Sequence, residues 1–120
     1  MSLAAQKIVD VLKHNILLFH NESRLHEAIA QILIQADFSF EHEYALSARD
    51  RIDYFVKAHG IGIEAKVKGS TAQVLRQLSR YTESEEIKEL IVVTAKMAHS
   101  FPSELGGKPL ITCRIIRSLC

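Results

Sequence analysis

The continuous apolar run from Leu90 to Ala95 constrains the fold more than any other feature of the sequence. A strand made of such a run has no polar face to turn toward solvent, so both of its faces must be buried. A sheet is buried on both faces when helices cover each side of it. The run therefore predicts an α/β domain in which a central sheet lies between helices.

Three segments have the periodicity of helices that could cover such a sheet. Apolar side chains recur every three or four residues over residues 4–18, which predicts a first helix. The same spacing follows the cap residues Asn21 and Ser23, which predicts a second helix that ends near Asp37. Ser70 begins a Ser-x-x-Gln capping box, which predicts that a third helix starts there. We therefore expect two helices before the main strands and one helix between them.

The strand pattern predicts how the sheet is connected. Residues 38–46 alternate in polarity, and the apolar stretches 52–56 and 61–67 are close enough to form a hairpin. After the third helix and the buried run come a Pro- and Gly-bearing loop, residues 98–109, and a last apolar strand, residues 110–116. A strand meander followed by a helical crossover predicts a mixed sheet.

Length and composition indicate one globular domain of 120 residues, 48% hydrophobic and 24% charged. The net charge of +1 provides no global field that would attract nucleic acid. There is no apolar run of membrane-spanning length and no secretory signal pattern, so we expect a cytoplasmic protein with no membrane partner. Cys113 and Cys120 lack a second pair or a histidine at ligand spacing, which argues against a disulfide framework or zinc site.

The clearest candidates for chemistry are Asp53, Glu64 and Lys66, on the two strands of the predicted hairpin. Side chains alternate along a strand, so Glu64 and Lys66 point to the same face. A four-residue loop, 57–60, sets Asp53 directly opposite Glu64. A two-residue loop, 59–60, sets Asp53 opposite Lys66 instead. Both registers bring all three side chains to one face of the sheet.

Two converging carboxylates are the oxygen ligands that a hard divalent cation such as Mg²⁺ selects. The Lys66 ammonium would offset part of their charge, and it could orient a water or stabilise charge developing on a phosphate. The alternative interpretation is a cross-strand salt bridge on a solvated sheet face. Because the flanking strands predict a covered sheet, where unpaired charges are costly, the functional interpretation is favoured.

In the order of its motifs, the chain resembles the PD-(D/E)XK nuclease superfamily over residues 22–116. Residues 51–54, Arg-Ile-Asp-Tyr, stand where that superfamily has its aspartate motif, and residues 63–66, Ile-Glu-Ala-Lys, stand where it has Glu-x-Lys. Residues 77–81, Gln-Leu-Ser-Arg-Tyr, match the Gln-x-x-x-Tyr helix motif of its RecB-like branch. Ile52 replaces the superfamily's proline. The resemblance implies a three-layer restriction-endonuclease-like fold with a mixed central sheet flanked by helices, here preceded by an N-terminal helix.

The resemblance also implies a reaction, the hydrolysis of phosphodiester bonds with Mg²⁺, for which Mn²⁺ could substitute. Asp53 and Glu64 would ligate the cation together with the carbonyl oxygen of Ala65. Lys66 would serve the hydrolytic water, and Gln77 would face the same site from the third helix.

The superfamily further places a glutamate on the helix before the first strand, and two residues are candidates for it. Glu22 lies one turn before Leu25 on the apolar stripe, whereas Glu27 falls on the opposite face of the helix. We favour Glu22 as a metal ligand. An acid favoured by the helix dipole explains a first-turn glutamate about equally well.

Basic side chains close to the motifs predict a local phosphate-binding patch. They are Arg49, Arg51, Lys68, Arg76 and Arg80. Tyr81 is a candidate either for contact with nucleic acid or for the core, and Gln73 is already explained as the partner of the Ser70 cap. The six histidines lack zinc or HNH spacing, and we expect surface or turn positions for all of them.

The leading hypothesis is a Mg²⁺-dependent deoxyribonuclease of repair, recombination, restriction or mobile-element biology. The motifs are compatible with endonuclease and exonuclease action, and with RNA as well as DNA. The competing hypothesis is a catalytically silent nucleic-acid-binding or assembly subunit that retains the fold. Because one small domain presents little surface to a duplex, we also expect a homodimer, with the first helix and the C-terminal strand as interface elements.

Overall fold

Two amphipathic helices begin the chain, α1 at Leu3–His14 and α2 at Glu22–Gln35. The structure, a computed structural model, describes residues 1–14 and 22–115. The predicted first helix is therefore confirmed up to His14, and the rest of its predicted range lies outside the described residues. The apolar stripe of α1 is buried through Ala5, Ile8, Val9 and Leu12.

A third helix and six strands follow. The helix α3 spans Thr71–Thr82, and it begins with the predicted capping box. Ser70 Oγ accepts a hydrogen bond from the Gln73 amide at 3.1 Å, and Gln73 Oε1 accepts one from the Ser70 amide at 3.0 Å. The strands are β1 at Glu41–Ala45, β2 at Arg51–Val56, β3 at Ile61–Lys66, β4 at Glu89–Thr94, β5 at Glu104–Leu105 and β6 at Lys108–Arg114.

The six strands form one mixed sheet in the order β1-β2-β3-β4-β6-β5. The first three strands are an antiparallel meander, β3, β4 and β6 run parallel, and β5 is antiparallel to β6. The α3 crossover connects the parallel pair β3 and β4. This arrangement confirms the predicted mixed sheet, and it places the ends of β3, β4 and β6 at one edge of the domain.

The β2–β3 hairpin adopts the register of the four-residue loop. Val56 pairs with Ile61 and Tyr54 pairs with Ile63. Within the loop, the amide of His59 donates to the carbonyl of Val56 at 3.1 Å. This choice between the two predicted registers sets Asp53 opposite Glu64.

Helices cover both faces of the sheet, as the apolar run of β4 requires. One core joins α1 and α2 to the face of the sheet that includes Ile63 and Ile91. The second core packs α3 against the other face through Val74, Leu78 and Tyr81. The described residues thus form an α/β domain of three layers, and no described helix has the length and apolarity needed to cross a membrane.

The first strand differs from its prediction, because β1 begins at Glu41 and not at residue 38. Glu43 has a φ of 51°, a left-handed conformation that interrupts the alternation. His42 therefore stacks on Tyr54, in the core of α1 and α2, whereas Tyr44 stacks on Phe55 in the core of α3. Regular alternation over residues 38–46 would place these two side chains on one face of the sheet, so the prediction of one alternating strand is wrong here.

Two smaller differences lie near the C-terminus. The predicted loop 98–109 contains the short strand β5, and the last strand begins at Lys108 and ends at Arg114. Cys113 is buried as a free thiol, and Cys120 lies outside the described residues.

Candidate functional site

The candidate site lies where β2 and β3 continue past the pair of Tyr54 with Ile63. At this point side chains take over the hydrogen bonds between the strands. The amide of Asp53 donates to Glu64 Oε1 at 3.1 Å, and the amide of Ala65 donates to Asp53 Oδ2 at 2.8 Å. Each carboxylate is therefore fixed by the backbone of the opposite strand, and the two acids converge as the sequence predicts.

Lys66 completes the predicted group of three. Its Nζ lies 3.0 Å from Glu64 Oε2, so both side chains project on the same side of β3. The Glu64 side chain is only 3% exposed and that of Lys66 is 21% exposed. The pair is thus largely enclosed by protein, which contradicts the alternative of a salt bridge on a solvated sheet face.

Burial shifts the protonation of both acids. It raises the pKa of Glu64 to about 7, helped by repulsion from Asp53 and opposed by the ammonium of Lys66. Burial also raises the pKa of Asp53, against the hydrogen bond from the Ala65 amide and the charges of His26 and Lys66. Both shifts mean that the charged forms of the two carboxylates are disfavoured. A bound cation would favour these charged forms.

The α3 helix reaches the site through a hydrogen-bonded pair. Gln77 Nε2 donates to the Tyr81 hydroxyl oxygen at 2.8 Å. That hydroxyl donates to the carbonyl of Arg51 at 2.8 Å and lies 3.4 Å from Glu64 Oε2. Burial and the nearby Glu64 raise the pKa of Tyr81, so its hydroxyl remains a donor.

The prediction that Tyr81 contacts nucleic acid is wrong, because the residue is only 1% exposed. It is a core residue that holds Glu64 and the start of β2. Gln77 is partly exposed and acts on the site through Tyr81. Gln77 and Tyr81, the two motif residues on α3, therefore help to hold the Glu64 carboxylate in place.

One residue of the site was not expected. His26, on α2, places its Nε2 3.5 Å from Asp53 Oδ2, and this nitrogen is buried with no hydrogen-bond partner in the part of the chain that the structure describes. The Tyr54 hydroxyl donates to the His26 carbonyl at 2.7 Å and so fixes the helix over β2. The expectation of a surface or turn position is wrong for His26, which lies within α2 with its Nε2 buried. His99 does lie at a turn, the one after β4, although it is only 1% exposed.

The spacing of Glu22 and His26 is the signal that could have identified the histidine. Residues four apart on a helix lie on the same face, so the preferred glutamate already pointed to it. Glu22 and His26 line a cavity of about 480 Å³ together with Glu43 and Tyr54.

The alternative glutamate, Glu27, lines the same cavity but has a partner of its own. Its Oε2 pairs with Arg24 Nη1 at 3.3 Å, and its side chain is 62% exposed. By contrast, the charge of Glu22 contributes to raising the pKa of Asp53, after the larger effect of burial. The geometry therefore favours Glu22 over Glu27 as a neighbour of the site.

The residues present are chemically suited to a divalent cation. Carboxylates supply the oxygen ligands that Mg²⁺ prefers, and the Nε2 of His26, which has no hydrogen-bond partner among the described residues, faces the Asp53 carboxylate. Across residues 1–14 and 22–115, no three His, Cys, Asp or Glu side chains already have metal-ligating spacing. Ligation of a cation by Asp53 and Glu64 would therefore require side-chain movement.

The predicted phosphate-binding residues are divided in the structure. Lys68 and Arg76 are exposed. Arg51 Nη1 donates to the carbonyl of Glu43 at 3.3 Å, and Arg80 Nε pairs with Asp50 at 2.9 Å. Arg80 is thus partly neutralised, and it is less suited to a phosphate than Lys68.

When it is compared with protein-family models, curated proteins and solved structures, the chain gives no significant match.

Proposed function

We propose that this chain is a Mg²⁺-dependent deoxyribonuclease of the PD-(D/E)XK superfamily with a restriction-endonuclease-like fold. The observation that carries the proposal is the mutual fixing of Asp53 and Glu64 by the opposite strand, with Lys66 3.0 Å from the second acid. A buried acid pair of this kind is costly to the fold, and such costs are typical of functional sites.

Asp53 and Glu64 would hold the cation, with the carbonyl of Ala65 as a further ligand. His26 would approach the Asp53 carboxylate from the α2 side, and Glu22 would add negative charge near it. When bound, Mg²⁺ would lower the pKa of a water and neutralise charge on the scissile phosphate.

Lys66 is the cation that the chain itself supplies. Its ammonium has three donors, of which one is directed to Glu64 Oε2. The remaining donors can orient a water for attack or stabilise charge on the phosphoryl oxygens. Its side chain is 21% exposed, so part of it is accessible to a substrate.

Tyr81 and Gln77 act as positioning residues. The Tyr81 hydroxyl fixes the start of β2 through the Arg51 carbonyl and approaches Glu64 from α3. Gln77 holds that hydroxyl in place. Both side chains keep the carboxylates where a cation and a phosphate can meet them.

The test is cleavage of linear duplex, single-stranded, nicked and four-way-junction DNA with Mg²⁺ or Mn²⁺. Lys66→Ala should reduce the cleavage rate by about 100-fold or more, because it removes a charge that acts in the transition state. Lys57→Ala is the matched control, since Lys57 is exposed in the turn at the other end of β3. Cleavage that persists unchanged in Lys66→Ala contradicts the mechanism.

One observation favours the second candidate, a silent nucleic-acid-binding or assembly subunit. The Lys66 to Glu64 pair and the His26 to Asp53 approach partly neutralise both acids without a cation. Salt-dependent DNA binding with no cleavage in Mg²⁺ or Mn²⁺ would support this candidate over the nuclease.

A further inference from the structure

The segments that follow the parallel strands β3, β4 and β6 meet at one edge of the sheet. Lys66, Thr94 and Arg114 are in register across these three strands. Lys96 Nζ donates to the carbonyl of Gly69 at 2.9 Å, which joins the segment after β3 to the segment after β4. We call this region, residues 67–71 and 95–100 with Arg114, the strand-end surface.

The strand-end surface has one sign of charge. Its basic residues are Lys68, Lys96 and Arg114, and it contains no Asp or Glu. Lys96 uses one of its three donors on Gly69, and Arg114 uses two of its five on the carbonyls of Lys96 and His99, at 2.7 and 2.6 Å. Cationic donors are therefore left for an anion that lies across the three strand ends.

The turn after β4 is held rigidly by side chains. The buried ring of His99 bridges Thr94 Oγ1, at 2.6 Å, and the carbonyl of Gly69, at 2.7 Å. Thr71 Oγ1 donates to the carbonyl of Ala98 at 3.4 Å. A surface that is already ordered loses little conformational entropy when it binds a partner.

At the tip of this fixed turn, the Met97 side chain is 84% exposed. No residue of the ranges 1–14 and 22–115 covers this apolar side chain, although its neighbours are anchored. Proteins that bind the minor groove of DNA frequently insert such apolar side chains between base steps.

We propose that the strand-end surface binds the phosphate backbone of duplex DNA through Lys68, Lys96 and Arg114, with Met97 in contact with the sugars or bases. The proposal rests on the proposed nuclease function and identifies where the substrate lies beside Lys66. A duplex is favoured over a single strand because single-strand binding depends on exposed aromatic rings for stacking. The only aromatic ring of this surface, that of His99, is buried.

The test is fluorescence anisotropy of a labelled DNA duplex at several salt concentrations, with the full chain and no divalent cation. The affinity falls as salt rises, so the slope of log affinity against log salt is negative. Lys96→Gln should make this slope less steep by about 1, because one phosphate contact is lost. Lys96→Arg, which keeps the charge, should restore the slope. Lys57→Gln, at the opposite end of β3, is the matched control and should leave the slope unchanged.

The contact of Met97 is tested in the same assay. Met97→Ala should weaken duplex binding by about fivefold through lost apolar burial. Ile34→Ala, at a side chain that is 62% exposed on α2, should have no effect. A single strand of equal length should bind more weakly than the duplex.

An unchanged salt slope in Lys96→Gln, an equal loss in Lys57→Gln, or tighter binding of the single strand overturns the proposal. These results are separable from the fate of the nuclease hypothesis. A chain that cleaves DNA but ignores Lys96 refutes this surface alone. A chain that binds through Lys96 but never cleaves refutes the nuclease function alone.

Discussion

Glu64 is the residue at which the competing demands on this site are clearest. Its carboxylate accepts a hydrogen bond from the Asp53 amide and lies near Lys66 and Tyr81, but it is buried beside a second acid. Hydrogen bonds and one ammonium favour its charged form, whereas burial and Asp53 oppose it. The resulting pKa of about 7 means that, between pH 4.5 and about 7, Glu64 is protonated in the folded protein and ionised in the unfolded chain.

This proton makes stability depend on pH. Because the folded pKa of Glu64 is raised from 4.5 to about 7, the folded state binds more protons than the unfolded state between these values. Stability should therefore fall as pH rises from about 4.5 to about 7, and the loss of stability should be complete above that range. Without divalent cations, Tm of the wild type should drop across this range, whereas Glu64→Gln should lack most of the drop.

A cation should reverse this trend, since ligation requires the deprotonated acids. Added Mg²⁺ should raise Tm of the wild type more at pH 8 than at pH 5 and should have little effect on Glu64→Gln. A Tm that rises with pH in the wild type but not in Glu64→Gln contradicts the assigned pKa.

The hydroxyl of Tyr81 can be tested without removing its ring from the core. Tyr81→Phe deletes the donor to Arg51 and the approach to Glu64, and we expect about 1 kcal/mol of lost stability. The cleavage rate should fall by about tenfold, because Glu64 is less firmly held. Tyr44→Phe is the control, since its hydroxyl bonds to Glu86 away from the site. Equal activity in the two variants, measured by cleavage kinetics, argues against a positioning role.

At the scale of elements, the site depends on how two strands and two helices are joined. Strand alternation predicted that Glu64 and Lys66 share a face, and the hairpin restricted the position of Asp53 to two registers. The sequence could not choose between them, because both candidate loops contain Gly60, which is compatible with either turn. The packing of the strands decides the register. It also missed His26, whose role depends on how α2 crosses β2.

The same limit explains the error at β1. A left-handed glutamate leaves no mark in the alternation of polar and apolar residues, so the pattern from residue 38 to residue 46 indicated one uniform strand. Likewise β5 pairs through Glu104 and Leu105 alone, which is too short a segment for periodicity to reveal. The elements with long periodic patterns, α2 and α3, and the strand β4, with its continuous apolar run, were predicted well for the converse reason.

The conformation of Glu43 leads to a prediction about stability. Glycine tolerates a positive φ at no steric cost, so Glu43→Gly should raise the free energy of unfolding by about 1 kcal/mol. Glu41→Gly, on the same strand with ordinary backbone, should lower it by about 0.5 to 1 kcal/mol. Urea denaturation of both variants measures the difference. Losses of equal size in the two would contradict the left-handed assignment.

At the scale of the whole molecule, the sheet order brings the ends of β3, β4 and β6 to the edge where Lys66 lies. The predicted homodimer stays a prediction. The apolar stripe of α1 is buried in its own domain, although Leu3 at its start is 91% exposed. The described part of β6 pairs with β4 along most of its length.

Oligomeric state can be settled by sedimentation velocity. If the start of α1 is part of a dimer interface, the wild type sediments as a dimer and Leu3→Asp sediments as a monomer. Ile34→Asp, a comparable change on α2, should leave the dimer intact. A wild-type chain that remains monomeric at high concentration contradicts the predicted homodimer.

If Asp53 and Glu64 form a Mg²⁺ site at which DNA is cleaved, the Mg²⁺-dependent cleavage rate must depend on the charge of Asp53. Asp53→Asn keeps the size of the side chain but removes its charge. It should reduce the rate by about 100-fold or more. Asp50→Asn, at a carboxylate that pairs with Arg80, should remain within about twofold of wild type. Wild-type cleavage by Asp53→Asn, or no cleavage by the wild type with any divalent cation, contradicts a metal-dependent nuclease site at these residues.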